Sequence, residues 1–175
     1  MTTLKELTHE LHVEAEAHPF TQDLLSGQVL IGAYATLLAN QLVAYTNLEN
    51  LCLQRQLFVG IEDICRSDNI LQDVIELNRP VQILPSTKRF VEHIKQCSDL
   101  ELLAHVYVKH MGDLYGGQIL KQKVPGCGSM YDFENRKILI EKFREKLDIT
   151  MAEEAKIGFR MTLDLFTEIY NEYYI

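Results

Sequence analysis

The segment GDLYGG, from Gly112 to Gly117, interrupts a pattern that otherwise predicts one long helix. Apolar residues recur at helical spacing from Asp99 to Met111, and the pattern resumes at Ile119. Three of these six residues are glycines, and each glycine costs a helix interior about 1 kcal/mol relative to alanine. The glycines let a neighbouring helix pack closely, separate two shorter helices, or let the backbone approach a large flat ligand where a Cβ would collide. The residues alone do not choose among these three explanations.

The rest of the chain has the periodicity of an all-α protein. Thr3-Leu-Lys-Glu6 is the pattern of a capping box at the start of a first helix, which we expect to end at His18-Pro19. Thr150-Met-Ala-Glu153 is a second such pattern before the last helix. Helices are expected over about 3–18, 32–55, 61–65, 70–77, 86–97, 99–123, 132–147 and from 150 to the C-terminal tyrosines. Without strand alternation or an internal repeat, the sequence predicts an all-α fold of roughly eight helices in a single domain, residues 1–175.

Composition and charge restrict the class of protein. The chain has 175 residues, of which 47% are hydrophobic, enough for one substantial core. Its formal charge of −8 and pI near 5.2 are the opposite of the basic balance of nucleic-acid binders, so no nucleic-acid partner is expected. No apolar run has the length of a membrane span, and the N-terminus lacks a signal-peptide pattern. We therefore expect a soluble, cytoplasmic protein without a membrane partner.

The four cysteines, Cys52, Cys65, Cys97 and Cys127, contain no CxxC pair. In a chain of this size they are typical of reduced thiols in a cytosolic protein. A zinc site needs several Cys or His residues at ligand spacing, and no such set is evident in the sequence.

Six histidines are the remaining candidates for metal chemistry. Glu6 and His9 form a Glu-x-x-His pattern, and a di-iron carboxylate site needs this pattern on each of two helices. No acidic residue stands three positions before the histidines of the predicted helices 86–97 and 99–123, so this alternative lacks its second half. His12 falls at the edge of the buried stripe of the first helix, where a hydrogen-bonded core histidine is the ordinary interpretation.

Four segments of the chain resemble segments of one known family. Gly112-Asp-Leu-Tyr-Gly-Gly-Gln118 resembles the GDLSGGQ motif in the distal helix of haem oxygenases, and residues 5–16, KELTHELHVEAE, resemble the proximal helix. Residues 143–148, FREKLD, and 153–159, EEAKIGF, resemble two further segments of the family. The four matches follow the family order and span nearly the whole chain. The resemblance implies a helical bundle in which haem lies between a proximal helix and a glycine-kinked distal helix.

The resemblance also implies an activity and a set of site residues. A haem oxygenase uses O₂ to open haem at a meso carbon, giving biliverdin, CO and ferrous iron. His12 is then the axial ligand of the haem iron, Asp113 organises the distal water, and Gly112 and Gly116 bring backbone over the distal face. The other pocket residues that the resemblance implies are Lys5 and Arg144 at the propionates, and Tyr107, Lys109, Gly117, Phe159 and Phe166.

Three residues depart from the family pattern. Tyr115 stands where the family has a small serine, so its ring either crowds the distal edge or points away from it. His9 replaces a basic residue near the propionates, and Thr162 replaces an asparagine of the last helix. These differences bear on which meso carbon is opened rather than on the type of reaction.

The reaction needs electrons from an external donor, because the chain has no flavin or dinucleotide fingerprint. We expect a ferredoxin, a flavodoxin or a reductase as the donor, and a bilin reductase as a downstream partner. Lys88, Arg89 and Lys95 form a candidate basic docking patch, although a solvated helix face explains them equally well. Two other classes stay open at this stage: a haem carrier without turnover, and a non-haem enzyme on the same scaffold, either di-iron or thiamin-degrading.

Overall fold

A computed structural model describes residues 1–175 and contains helices and loops but no strand. The α-helices are α1 (Leu4–Leu7), α2 (His9–Ala17), α3 (Pro19–Ser26), α4 (Ile31–Gln54), α5 (Ser67–Leu77), α6 (Pro85–Ile94), α7 (Asp99–Val106), α8 (Gly112–Leu120), α9 (Arg136–Arg144) and α10 (Ala152–Tyr174). Short 3₁₀ turns cover Glu62–Ile64, Ser129–Tyr131 and Ile149–Met151, and a π turn covers Tyr107–Met111. The predicted all-α class is confirmed.

The predicted first helix is divided into α1 and α2 at Thr8. The capping box is present: the Thr3 hydroxyl accepts from the Glu6 amide at 3.2 Å, and the Glu6 carboxylate accepts from the Thr3 amide at 2.8 Å. The Thr8 hydroxyl donates back to the Leu4 carbonyl at 3.0 Å. Because such back-bonding to the preceding turn bends helices, it accounts for the break.

The helix α3 is absent from the sequence prediction, because a His-Pro pair indicates a helix end and here Pro19 also begins the next helix. Proline is well suited to the first position of a helix, where its missing N–H is not needed. The His18 ring also caps α3, since its Nδ1 accepts from the Phe20 amide at 3.1 Å. Gly27 ends the helix with a φ of +77°, a left-handed conformation that favours glycine.

The predicted helix over 99–123 is present but is interrupted directly before its glycines. It begins at Asp99, after a capping box between Ser98 and Glu101. The interruption is the π turn Tyr107–Met111, and Gly112 itself has the ordinary helical angles φ −57° and ψ −45°. The interruption of the α-helix is therefore a widened turn, a feature that often marks functional sites.

The start of the last helix also differs from the prediction. The Thr150 amide donates to the Asp148 carboxylate at 2.8 Å, so Asp148 is the cap of this segment. Glu153 lies 2.9 Å from the Lys156 amine, and α10 begins at Ala152. The predicted second capping box is therefore wrong, although the helix that it was meant to open is present.

The helix α10 positions the elements that carry the candidate site. It packs against α2, α3, α4, α6 and α7 and against the π turn, while α4 crosses the core with all residues from Ala33 to Asn40 buried. No single helix is long and apolar enough to cross a membrane; α3 and α4 pass that test only together, as a pair bent by 110°.

The three glycines of the GDLYGG segment have different surroundings. A Cβ on Gly117 would lie 2.6 Å from Cδ1 of Tyr131, so this glycine is needed for packing. A Cβ on Gly112 or Gly116 would meet no atom within 4 Å outside its own helix. Close packing thus explains Gly117, which we had expected to face the ligand, and does not explain the other two.

Gly117→Ala should lower the free energy of unfolding by about 1–3 kcal/mol, because its methyl group overpacks the ring of Tyr131. Gly112→Ala is the matched control, and it should raise the free energy of unfolding by up to about 1 kcal/mol through helix propensity alone. Urea unfolding of the two variants and the parent measures both effects. Equal stabilities of the two variants would contradict this account of the glycines.

Candidate functional site

His12 lies on α2 with an accessible side chain. The side chain is 54% exposed, and its Nε2 is 3.6 Å from the Glu16 carboxylate, too far for a hydrogen bond. Its ring packs at an edge against Phe159 of α10, with the ring centroids 6.1 Å apart. His12 is therefore not a satisfied core histidine, and its Nε2 is available to a ligand.

The buried histidines have carboxylate partners. His105 Nε2 lies 2.7 Å from Oε1 of Glu154, and His110 Nε2 lies 2.7 Å from Oε2 of Glu49. Both imidazole rings are fully buried, so the ordinary interpretation as hydrogen-bonded core residues holds for them. Glu6 is held at the N-terminus of α1 by its capping bond, which removes it as the first half of a di-iron site.

Asp113 is a buried carboxylate at the start of α8. The Tyr45 hydroxyl of α4 donates to its Oδ2 at 2.6 Å, and the carboxylate is only 8% exposed. In the sequence, Tyr45 stands at helical spacing among the apolar residues of α4, and nothing there indicates a polar role. A fully buried tyrosine needs a partner for its hydroxyl, but the sequence does not show which residue provides it.

Two ionisable groups on this side of the site titrate near neutrality. Burial raises the pKa of Asp113 to about 6, against the lowering effects of the Tyr45 hydrogen bond and of nearby cations. Burial also lowers the pKa of Lys109 to about 8, against the charge of Asp113, which favours the ammonium form. The Lys109 amine lies over the ring of Phe90, 4.7 Å from its centroid. The surroundings of Asp113 therefore contain two groups whose pKa values lie close to neutral pH.

A second carboxylate fixes the π turn against the core. Glu49 accepts from the backbone amides of Arg66 at 2.6 Å and Ser67 at 3.0 Å, in addition to its contact with His110 of the π turn. The Tyr45 and His110 rings also pack together, with centroids 4.7 Å apart. These contacts hold the π turn, and with it Asp113, in a fixed position relative to α4.

Tyr115 points outward from α8 and contacts α9. Its hydroxyl accepts a hydrogen bond from Nη2 of Arg144, and the guanidinium carbon lies 5.6 Å from the centroid of the tyrosine ring. Both side chains are exposed. Of the two positions considered for Tyr115, the structure shows the outward one, which places its ring beside the predicted propionate-binding arginine.

The proximal helices and the π turn meet at a polar contact. The hydroxyl of Tyr107 lies 3.5 Å from the hydroxyl of Thr8, at the junction of α1 and α2. Lys5 is exposed on α1. The structure thus brings Tyr107 next to the proximal side and leaves the Lys5 amine at the surface.

The two predicted pocket phenylalanines have different environments. Phe159 is buried beneath the ring of His12. Phe166 packs against His18 and Phe20, with ring centroids 5.8 Å and 5.4 Å apart. Phe166 therefore stabilises the junction of α2 and α3, in addition to any contact with a ligand.

The predicted basic patch is partly neutralised by acidic neighbours. Arg89 lies 3.4 Å from the Glu168 carboxylate, and the Lys95 amine lies 2.8 Å from that of Glu92. Lys88 is exposed. A solvated helix face with its own acidic partners is the better description of these residues.

Comparisons with known proteins agree over nearly the whole chain. The family model described as Heme oxygenase matches residues 1–167. The heme oxygenase of Rhodella violacea is 26% identical over 95% of this chain and 85% of its own length. The structure of heme oxygenase from Leptospira interrogans superposes with a TM-score of 0.84 at 25% identity, over 94% of this chain and 97% of that one. Heme oxygenase-1 of Synechocystis, solved in complex with heme, gives a TM-score of 0.84 at 23% identity, over 97% of this chain and 91% of that one.

The fold and the site define an all-helical scaffold with an accessible imidazole on one helix and a glycine-containing helix after a π turn. The chain belongs to the haem oxygenase family, whose enzymes cleave haem to biliverdin.

The pKa of Asp113 makes stability depend on pH in a defined direction. The pKa of Asp113 in the folded state, about 6, lies above its ordinary value of 3.8. The contribution of Asp113 to the free energy of unfolding is therefore fully present below pH 3.8 and is lost as the pH rises through 6. Asp113→Asn stays neutral and still accepts from Tyr45. Its advantage in unfolding free energy over the parent should grow by about 2 kcal/mol between about pH 4.5 and about pH 7.5. Urea unfolding at both pH values tests this, and an advantage that does not change with pH would contradict it.

Proposed function

We propose that the protein opens haem to biliverdin, CO and ferrous iron with the ring held between α2 and α8, His12 being the axial ligand of the iron. The observation that carries this proposal is the open space beside Gly112 and Gly116, which no packing contact explains. It lies next to Asp113, the buried carboxylate whose pKa is about 6. An apolar ring bound against this backbone would collide with a Cβ at either position, which would explain why both residues are glycines.

The residues around this position fit a flat, largely apolar ligand with two acidic groups. Val13, one residue after His12, and Ile119 of α8 are apolar and exposed, at 46% and 60% respectively. Phe159 provides an aromatic wall behind the imidazole. Arg144 stands at the end of α9 with an accessible guanidinium, which suits a charge-assisted contact with a carboxylate.

Haem, when bound, supplies the iron that activates O₂ and is itself the substrate that is oxidised. The protein supplies orientation and proton control. His12 would fix one face of the ring, and the backbone at Gly112 and Gly116 would limit the space on the other. Arg144 and Lys5 would set the in-plane rotation through the propionates, so that one meso carbon faces the reacting position.

Asp113 and Lys109 would hold and exchange protons on the distal side. Their pKa values, about 6 and about 8, bracket neutral pH, which is the condition for efficient proton transfer in either direction. The Tyr45 hydroxyl fixes the orientation of the Asp113 carboxylate through its 2.6 Å hydrogen bond. We assign Tyr45 a positioning role for this reason.

The electrons would come from a ferredoxin, a flavodoxin or a reductase, and a bilin reductase would consume the product. These partners follow from the chemistry of the reaction, in which an external reductant is required. The exposed surface formed by Tyr115 of α8 and Arg144 at the end of α9 is the edge that we propose for docking. The basic residues of α6 are less suited, since Arg89 and Lys95 already have acidic partners.

Hemin titration of His12→Ala tests the axial ligand. The parent should bind one equivalent, with a shifted Soret band, and should lose that band under reductant and air as biliverdin forms. His12→Ala should lose the parent's axial-ligand spectrum and most of its turnover, whereas Glu14→Ala, an exposed change on the same helix, should retain both. Loss of both properties in Glu14→Ala, or their retention in His12→Ala, would place the ligand elsewhere.

Tyr115→Phe tests whether the tyrosine hydroxyl positions Arg144 at the propionates. The variant keeps the ring and removes only the acceptor of the arginine hydrogen bond. Hemin affinity should change less than about threefold, because one exposed hydrogen bond contributes little, but the ratio of biliverdin isomers should shift. Chromatography of the products measures the ratio. An unchanged ratio, together with a shifted one in Arg144→Gln, would show that Arg144 acts without Tyr115.

A further inference from the structure

Four potential metal ligands that are scattered along the sequence meet in the interior. They are His93 at the end of α6, Cys97 in the turn that follows, His105 in α7 and Glu154 in α10. One donor atom of each residue lies within 4.8 Å of the donor atoms of the other three. The haem chemistry proposed above uses none of this histidine–cysteine cluster.

Three of these side chains converge on a single carboxylate oxygen. Oε1 of Glu154 lies 2.5 Å from Nε2 of His93, 2.7 Å from Nε2 of His105 and 3.4 Å from Sγ of Cys97. Because an ionised carboxylate only accepts hydrogen bonds, this arrangement requires a proton on each of the three converging atoms. A divalent cation can replace those three protons and keep all four side chains in contact.

We propose that the histidine–cysteine cluster binds one Zn²⁺ ion as a structural site. Two imidazoles, one thiolate and one carboxylate are all zinc ligands, and four of them complete a tetrahedral structural site. Thiolate and imidazole also select against Ca²⁺ and Mg²⁺, which prefer oxygen ligands. On binding, each imidazole is neutral, with its proton moved from Nε2 to Nδ1, and the Cys97 thiol releases its proton to solvent.

The geometry is close to that of a zinc site. Zinc–ligand bonds of about 2.0–2.3 Å separate the donor atoms of a tetrahedral site by about 3.3–3.8 Å. The donor atoms of the cluster lie at most 4.8 Å from one another, and the shortest separations are those of the hydrogen bonds to Glu154. Side-chain shifts of about 1 Å therefore convert the hydrogen-bonded cluster into a coordination sphere.

The burial of the cluster suits a structural ion, and one partly exposed side chain leaves a route by which the ion can enter. Cys97, His105 and Glu154 are 5%, 0% and 7% exposed, so they would exclude water from a bound ion. The His93 side chain is 31% exposed and opens the cluster to the surface. Phe90 lies on the other side of the cluster, with its ring centroid 5.2 Å from that of His105.

A bound ion would join α6 and α7 to α10 beside the haem site. Glu154 lies one helical turn before Gly158, the residue of α10 that contacts His105 and Val108. The ion would thus stabilise the packing that holds the π turn. The site depends on the fold alone, so it does not require the haem chemistry proposed above.

Metal titration of the chelator-treated full-length protein tests the proposal directly. With a chromophoric chelator as competitor, one equivalent of Zn²⁺ should bind to the parent, and Co²⁺ should give the near-ultraviolet thiolate charge-transfer band. Cys97→Ser should lose that band, and both Cys97→Ser and His93→Gln should bind Zn²⁺ at least tenfold more weakly. Zn²⁺ should raise the melting temperature of the parent and not that of either variant.

Two control variants exclude other zinc sites on the chain. Cys127→Ser alters an exposed thiol beside Glu76 and Asp73, and His12→Ala removes the haem ligand; both should bind Zn²⁺ like the parent. Binding that is absent in the parent, or that is lost in a control and kept in Cys97→Ser and His93→Gln, would overturn the proposal. His93→Gln changes a half-buried residue and keeps a polar side chain, so it provides the test even if Cys97→Ser does not fold.

Discussion

The arrangement of the molecule depends on the close approach of two segments at Gly158 of α10. A Cβ at this position would lie 3.1 Å from Nδ1 of His105 and 3.2 Å from Cγ2 of Val108, so any larger residue would require α7 or the π turn to move by a few tenths of an ångström. The next residue, Phe159, receives the ring of His12. A single turn of α10 therefore fixes where the proximal helix and the distal segment stand relative to each other.

The helix α8 has low intrinsic stability, and tertiary contacts compensate for it. Two glycines without a packing role weaken α8, and the buried carboxylate of Asp113 opposes folding at neutral pH. The Leu114 carbonyl of α8 accepts from Nε of Arg136 at 2.5 Å, and the Gln118 amide donates to the Tyr131 carbonyl at 3.1 Å. These bonds come from the chain after α8, which explains how a helix of low propensity keeps its position.

The sequence supported the fold class and most helices, because those depend on periodicity and capping. A family resemblance made Asp113 and His12 candidates for the site, but the sequence did not indicate the partner of Asp113, since nothing local to Tyr45 marks it as more than a core tyrosine. The π turn was also missed: an inserted residue leaves no local signature beside the glycines. The histidine–cysteine cluster was invisible for a related reason, since its four side chains come from three helices and one turn and only the tertiary fold brings them together.

The central claim is that Gly112 and Gly116 serve the ligand and not the fold, and Gly116→Ala tests it most directly. Hemin affinity and the free energy of unfolding without hemin are measured on the same preparation. The account predicts that unfolding becomes more difficult, by up to about 1 kcal/mol from helix propensity, while hemin binds more weakly and turns over more slowly. A variant that is less stable than the parent but binds and turns over hemin normally would contradict the account.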